Sequence, residues 1–142
     1  MSVDRRFVFP VLLLAFGCRA AVPAAVAPVA SCPGGSGSWV REQIYFGRAM
    51  PDGGEVSDSA WQRFLATEIM PRFTDGLTLV EASGQWRSEA GPVIRERTWL
   101  LVLYHAADAS VDRKVEEVVS AYKEAFSQEA VLRDRDMTCV TL

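Results

Sequence analysis

Histidine occurs once in this 142-residue chain, at position 105, and cysteine three times. A Ser-His-Asp or Cys-His arrangement would have to be built on His105, which closes an apolar run with no nucleophile beside it in sequence. One histidine and no spaced Asp/Glu/His cluster leave too few ligands for a zinc-type centre, so no metal is expected. Glycine-rich strand-to-helix junctions are missing as well. Asp52-Gly53-Gly54 and Asp75-Gly76 read as turns instead of phosphate loops, and no cofactor is expected. Positive charge is scarce: the formal net charge is -3, and the segment from Cys32 onward holds 12 Lys and Arg against 17 Asp and Glu. Such a balance gives the chain no electrostatic reason to bind nucleic acid. Nor is there an apolar run of membrane-spanning length, because the longest early stretch, Phe7 to Gly17, covers 11 residues at about 1.5 Å each.

That short stretch follows Arg5 and Arg6, and the combination is the charge-then-apolar pattern of a signal peptide. It ends in Ala15-Phe16-Gly17-Cys18, which resembles the lipobox of bacterial lipoproteins, with Cys18 as the lipidated residue. Val29-Ala30-Ser31-Cys32 matches the lipobox better residue by residue but lies far beyond the apolar core. Cleavage without lipid is the third option. The reading is a signal peptide over residues 1–18, an Ala/Pro then Gly/Ser linker over 19–38, and one domain over 39–142. An exported protein follows, either anchored in the cell envelope through lipid, with the membrane as a partner, or secreted.

Within the domain, Val40, Glu42, Ile44 and Phe46 alternate with Arg41, Gln43 and Tyr45, the period of a two-faced strand. Ser57 caps a helix whose apolar positions Trp61, Phe64, Leu65 and Ile69 form one stripe, and Pro71 stops it. Strands follow over Leu77 to Trp86 and Val93 to Ala106, joined by a loop. A second helix starts at Asp108 or Ser110 and turns Val111, Val115, Val118, Tyr122, Ala125 and Phe126 inward; a last strand covers about Ala130 to Val140. The order β-α-β-β-α-β predicts an α+β, ferredoxin-like fold, a four-stranded antiparallel sheet with two helices on one face. In that topology the fourth strand ends beside the start of the first, so Cys139 approaches Cys32 and the pair can form a disulfide in an oxidising compartment.

Trp99 to Tyr104 is apolar on both faces, although helices cover only one face of such a sheet. A homodimer through the open face is one remedy, and coverage by the linker or loops is the other. Polar and aromatic side chains gather on neighbouring strands: Tyr45 and Arg48, then Gln85 and Trp86, then Arg95 and Glu96. They form the candidate ligand-binding set. Arginine can grip a carboxylate or phosphate, Glu96 can serve as a base or orient an arginine, and Trp86 can stack a flat ligand. A Glu-Arg network tying the strands together is the structural alternative. Two functions remain open: a binding or structural module without catalysis, or a small-molecule enzyme built on Glu96, Arg95, Tyr45 and Trp86.

The segments Tyr45-Phe46-Gly47-Arg48, Trp61 with Phe64, Pro71-Arg72-Phe73, Asp75-Gly76-Leu77-Thr78, Gln85-Trp86, Arg95-Glu96, Tyr122, Phe126-Ser127-Gln128-Glu129 and Cys139-Val140 together resemble the DUF3574 family. Its members are small bacterial proteins described as lipoproteins or secreted proteins, with no established activity. The resemblance covers nearly the whole chain after Cys32 and implies export without implying a reaction. Two departures are Thr74, where a proline is expected before Asp75-Gly76, and Trp99, where a lysine is common in that family.

Overall fold

The alternation in the first segment becomes a strand, β1 (Gly37–Gly47), whose even-numbered residues Val40, Glu42, Ile44 and Phe46 are buried while the odd ones are partly open. The computed structural model describes residues 32–34, 36–87, 89, 91 and 93–141. The expected signal peptide, Cys18 and the Ala/Pro segment lie outside the described residues. β1 begins at Gly37, within the glycine/serine stretch, because Gly37 and Ser38 pair with Val140 and Cys139.

Ser57 accepts a hydrogen bond from the Ala60 N–H at the start of helix α1 (Asp58–Phe64), as its position predicts. The helix then widens into a π-helical turn, Leu65–Ile69, where the Met70 N–H reaches back five residues to the Leu65 carbonyl. This widening is invisible to a 3.6-residue pattern. β2 (Thr78–Arg87) and β3 (Val93–His105) form a hairpin, helix α2 (Ala109–Phe126) follows, and β4 (Leu132–Val140) closes the chain. Asp108 caps α2 by accepting from the Ser110 N–H at 2.7 Å, and that bond holds its carboxyl below the ordinary aspartate range. Val115, Val118 and Tyr122 are buried on α2, but Ala125 is exposed because it lies off the stripe that runs from Val118 through Tyr122 to Phe126.

All four strands are antiparallel, in the order β2-β3-β1-β4. Phe46 meets Trp61 of α1 at 5.4 Å and Tyr122 of α2 at 4.7 Å between ring centroids, which places both helices over the even face of β1. Trp99 stacks on Trp61 at 5.4 Å, so the position where a lysine was expected extends this aromatic core. The predicted bridge is present: Cys32 and Cys139 are bonded across a separation of 107 residues, with their Cα atoms 5.5 Å apart. No described helix is long and apolar enough to cross a membrane.

Among the described residues, no helix covers the other face of the sheet. Residues directly opposite one another in a ladder share a face, so Tyr45, Leu100, Val80 and Leu132 lie together on this open side. Tyr104 is 46% exposed and Leu132 64%, while Leu100 and Val102 are half-buried.

Candidate functional site

Where β1 ends, its backbone is held by side chains from distant parts of the chain. Glu96 of β3 accepts a hydrogen bond from the Ala49 N–H at 2.8 Å. The Tyr122 hydroxyl donates to the Gly47 carbonyl at 2.9 Å, and the Gln128 amide donates to the Ala49 carbonyl at 2.9 Å. Gln128 reaches that point because Ser127 ends α2 in a left-handed conformation, φ 52°, which turns the chain sharply toward β1. Burial pushes the Tyr122 phenol well above the ordinary tyrosine range; the nearby Glu96 carboxylate adds to the rise and Arg48 opposes it.

Gly47 makes this arrangement possible. A Cβ there would lie 2.5 Å and 2.6 Å from the two Glu96 carboxylate oxygens, so a bare glycine is what lets that carboxylate rest on the strand. The requirement is one of space, since Gly47 is absent from the positive-φ residues.

Beside Glu96 opens a crevice of about 620 Å³ on the helix-free face, lined by Tyr45, Trp86, Thr98, Gln128 and Leu132 among others. Its position follows from register: Glu96 opposes Gly84, Trp86 opposes Ile94, Thr98 opposes Gly47, and all share the face of Tyr45. Gln43 donates to the Tyr45 oxygen at 3.2 Å, which leaves the phenol proton available to a ligand. The small residues Gly47, Ala82 and Gly84 form a low floor between the Trp86 and Tyr45 walls.

The structure thus brings Tyr45, Gln85, Trp86 and Glu96 to one crevice. It turns Arg48 away from them, whereas Arg95 meets Gln85 and Glu96 at a second cavity. Arg95 hydrogen-bonds the side-chain amide oxygen of Gln85 at 3.3 Å and borders this cavity, of about 740 Å³, with Glu55, Glu96 and Arg97. Arg48 is buried and points into the loop before α1, where it binds the Val56 carbonyl at 2.9 Å, Glu55 at 2.9 Å and Asp58 at 2.8 Å. Its even number puts it on the helix side of β1, so alternation alone separates it from Tyr45. Sequence reasoning gave no role to Gln128, Thr98 or the space above Gly47; the motif Phe126-Ser127-Gln128 was the available signal for the first.

A second polar cluster lies on the helix side. Glu42, fully buried, receives two hydrogen bonds of 2.7 Å from Arg133, with Arg135 3.3 Å away and the His105 Nε2 at 3.9 Å. Glu42, His105 and Asp112 offer ligand atoms within 4.8 Å of one another. Arg135 also holds Asp112, at 2.9 Å, so both carboxylates already face guanidinium charge, which opposes a cation there. The cluster ties β4 to β1 and α2 and accounts for a glutamate in an otherwise apolar register.

Fold and site together define a small α+β domain with an aromatic-walled, carboxylate-bearing crevice on its open sheet face. The chain belongs to the family described as "Protein of unknown function (DUF3574)", which matches residues 41–142. No curated protein matches it in sequence. Among solved structures it is similar to a phage SAM lyase in complex with S-methyl-5'-thioadenosine, at 15% identity over 82% of this chain and 97% of that one, with a TM-score of 0.57. The phage SAM lyase in its apo state is 16% identical over 80% and 96% of the two chains, with a TM-score of 0.52. At such identities the likeness is one of fold.

Proposed function

We propose that this is an exported, ferredoxin-like domain that binds a small flat organic molecule in the Glu96 crevice. One observation carries the reading: a half-buried carboxylate, held by a backbone N–H and given room by Gly47, faces a concavity walled by Trp86 and Tyr45. The strand order β2-β3-β1-β4 and the sequence of elements favour the ferredoxin-like description. Export is favoured by the Cys32–Cys139 bridge, since such bonds persist in oxidising compartments, and by the signal-like opening of the chain. Lipid on Cys18 belongs to the same proposal; intact mass of the protein from its host's membrane fraction checks it.

A second reading, an enzyme with Glu96 as proton acceptor, is favoured by Glu96 and Tyr45 sharing one crevice. Arg95 lines the neighbouring cavity, which Glu96 also borders. The expected homodimer remains part of the proposal: Val80, Leu100 and Tyr104 present a flat apolar surface that a second copy can cover with its own. A monomer mass by light scattering at high concentration removes the dimer.

The ligand reading is tested by titrating the oxidised protein with adenosine and with S-methyl-5'-thioadenosine, the molecule held by the phage lyase. Saturable binding that weakens at least about fivefold in Trp86→Ala and is unchanged in Arg95→Ala is the expected result. Binding that depends on Arg95 and ignores Trp86 would place the site in the other cavity.

A further inference from the structure

The charges around the crevice are unequally matched. Glu96 accepts one hydrogen bond, from the Ala49 N–H, and forms no ion pair among the described residues. The arginines near it are committed to other groups. Arg48 is bound to Glu55 and Asp58, Arg97 to Glu81 and Glu55, and Arg133 to Glu42. Arg95, which with Arg97 lines a neighbouring cavity that Glu96 also borders, turns to the side-chain amide oxygen of Gln85. A half-buried carboxylate without a cation is costly, because little of the lost hydration is returned by one neutral donor.

The walls of the crevice suit a positive charge for a separate reason. Trp86 and Tyr45 offer aromatic rings, whose faces attract cations, and Thr98 and Gln128 add neutral polar groups. Arg133 borders the crevice, but its guanidinium is held by both oxygens of Glu42 on the helix side.

From these two features we infer that the crevice selects an organic cation, an aromatic or heterocyclic molecule with a protonated amine or another onium group that pairs with Glu96. The inference rests on the crevice being a ligand site and names the charge class of what it takes. It runs against the arginine-led expectation of a carboxylate or phosphate ligand, since neither Arg48 nor Arg95 lines this crevice.

Benzylamine, benzyl alcohol and benzoate have similar size and differ in charge at neutral pH, so they serve as probes. Binding to the oxidised full chain is read by NMR at the Ala49 amide, which reports on Glu96, and at the Trp86 indole. Benzylamine is expected to bind about tenfold more tightly than benzyl alcohol, the effect of one charge-assisted hydrogen bond, and to weaken with added salt. Glu96→Gln keeps an acceptor for the Ala49 N–H and removes the charge; it should erase the preference for the amine, so that benzylamine and benzyl alcohol bind alike. Benzoate binding as well as benzylamine, or an amine preference that survives Glu96→Gln, overturns the charge assignment while leaving the crevice a ligand site. If none of the three probes moves Ala49 or Trp86, the site itself fails and the inference fails with it.

Discussion

Replacing Gly47 with alanine tests the local architecture, because the sign of its effect depends on Glu96. Gly47 does not have a positive φ, so an added methyl should by itself stabilise the fold by about 0.4–1 kcal/mol through the unfolded chain. With Glu96 in place the new Cβ would fall 2.5 Å from a carboxylate oxygen, and the carboxylate must leave. The Ala49 N–H then loses its acceptor, at about 1–2 kcal/mol for a part-buried donor. Gly47→Ala should therefore destabilise the wild-type domain by up to about 1.5 kcal/mol, yet be neutral or stabilising when Glu96→Ala is already present. Urea denaturation of the four proteins of this cycle, with the disulfide intact, measures the coupling; about 1–2 kcal/mol is expected. An additive cycle would show that Glu96 does not lie against Gly47.

Cys139→Ser opens a loop of 107 residues and should lower stability by about 4–5 kcal/mol in the chain-entropy model, matching the loss caused by reductant in the parent protein. Glu42→Gln leaves Arg133 and Arg135 facing a neutral group and should cost about 3 kcal/mol, whereas Glu42→Leu combined with Arg133→Leu should cost less, as denaturation midpoints will show. The raised Tyr122 pKa fixes an alkaline limb: the folded protein keeps the phenol proton that the unfolded chain releases, so this stability is intact below about pH 10 and falls as pH rises above it. Tyr122→Phe should flatten that limb and, below it, cost about 1 kcal/mol for the lost bond to the Gly47 carbonyl; thermal melts across pH report both.

The strands and helices were legible because local periodicity dictates them, as the alternation from Val40 to Phe46 and the stripe on α2 do. Cysteine placement was legible because topology brings the start of β1 to the end of β4. The π-helical turn after Phe64 was not, since no side-chain pattern marks one extra residue in a helical turn. Half of the candidate site followed from face parity, which groups Tyr45, Trp86 and Glu96. Arg48 and Arg95 did not, because a guanidinium goes to the best acceptor within reach: for Arg48 those lie seven to ten residues on, in the next loop and at the start of α1, and for Arg95 across the hairpin. The partnership of Glu42 with Arg133 spans 91 residues, so only the completed β1-β4 register reveals it.

A crystallographic fragment screen of the oxidised protein tests the central claim without presupposing a ligand. The account predicts that bound fragments concentrate in the crevice against Trp86 and Tyr45, with basic fragments placing their nitrogen at Glu96. Fragments that gather in the cavity beside Arg95 and Arg97, or in the groove between Trp39 and Tyr104, while the Glu96 crevice stays empty, would contradict it.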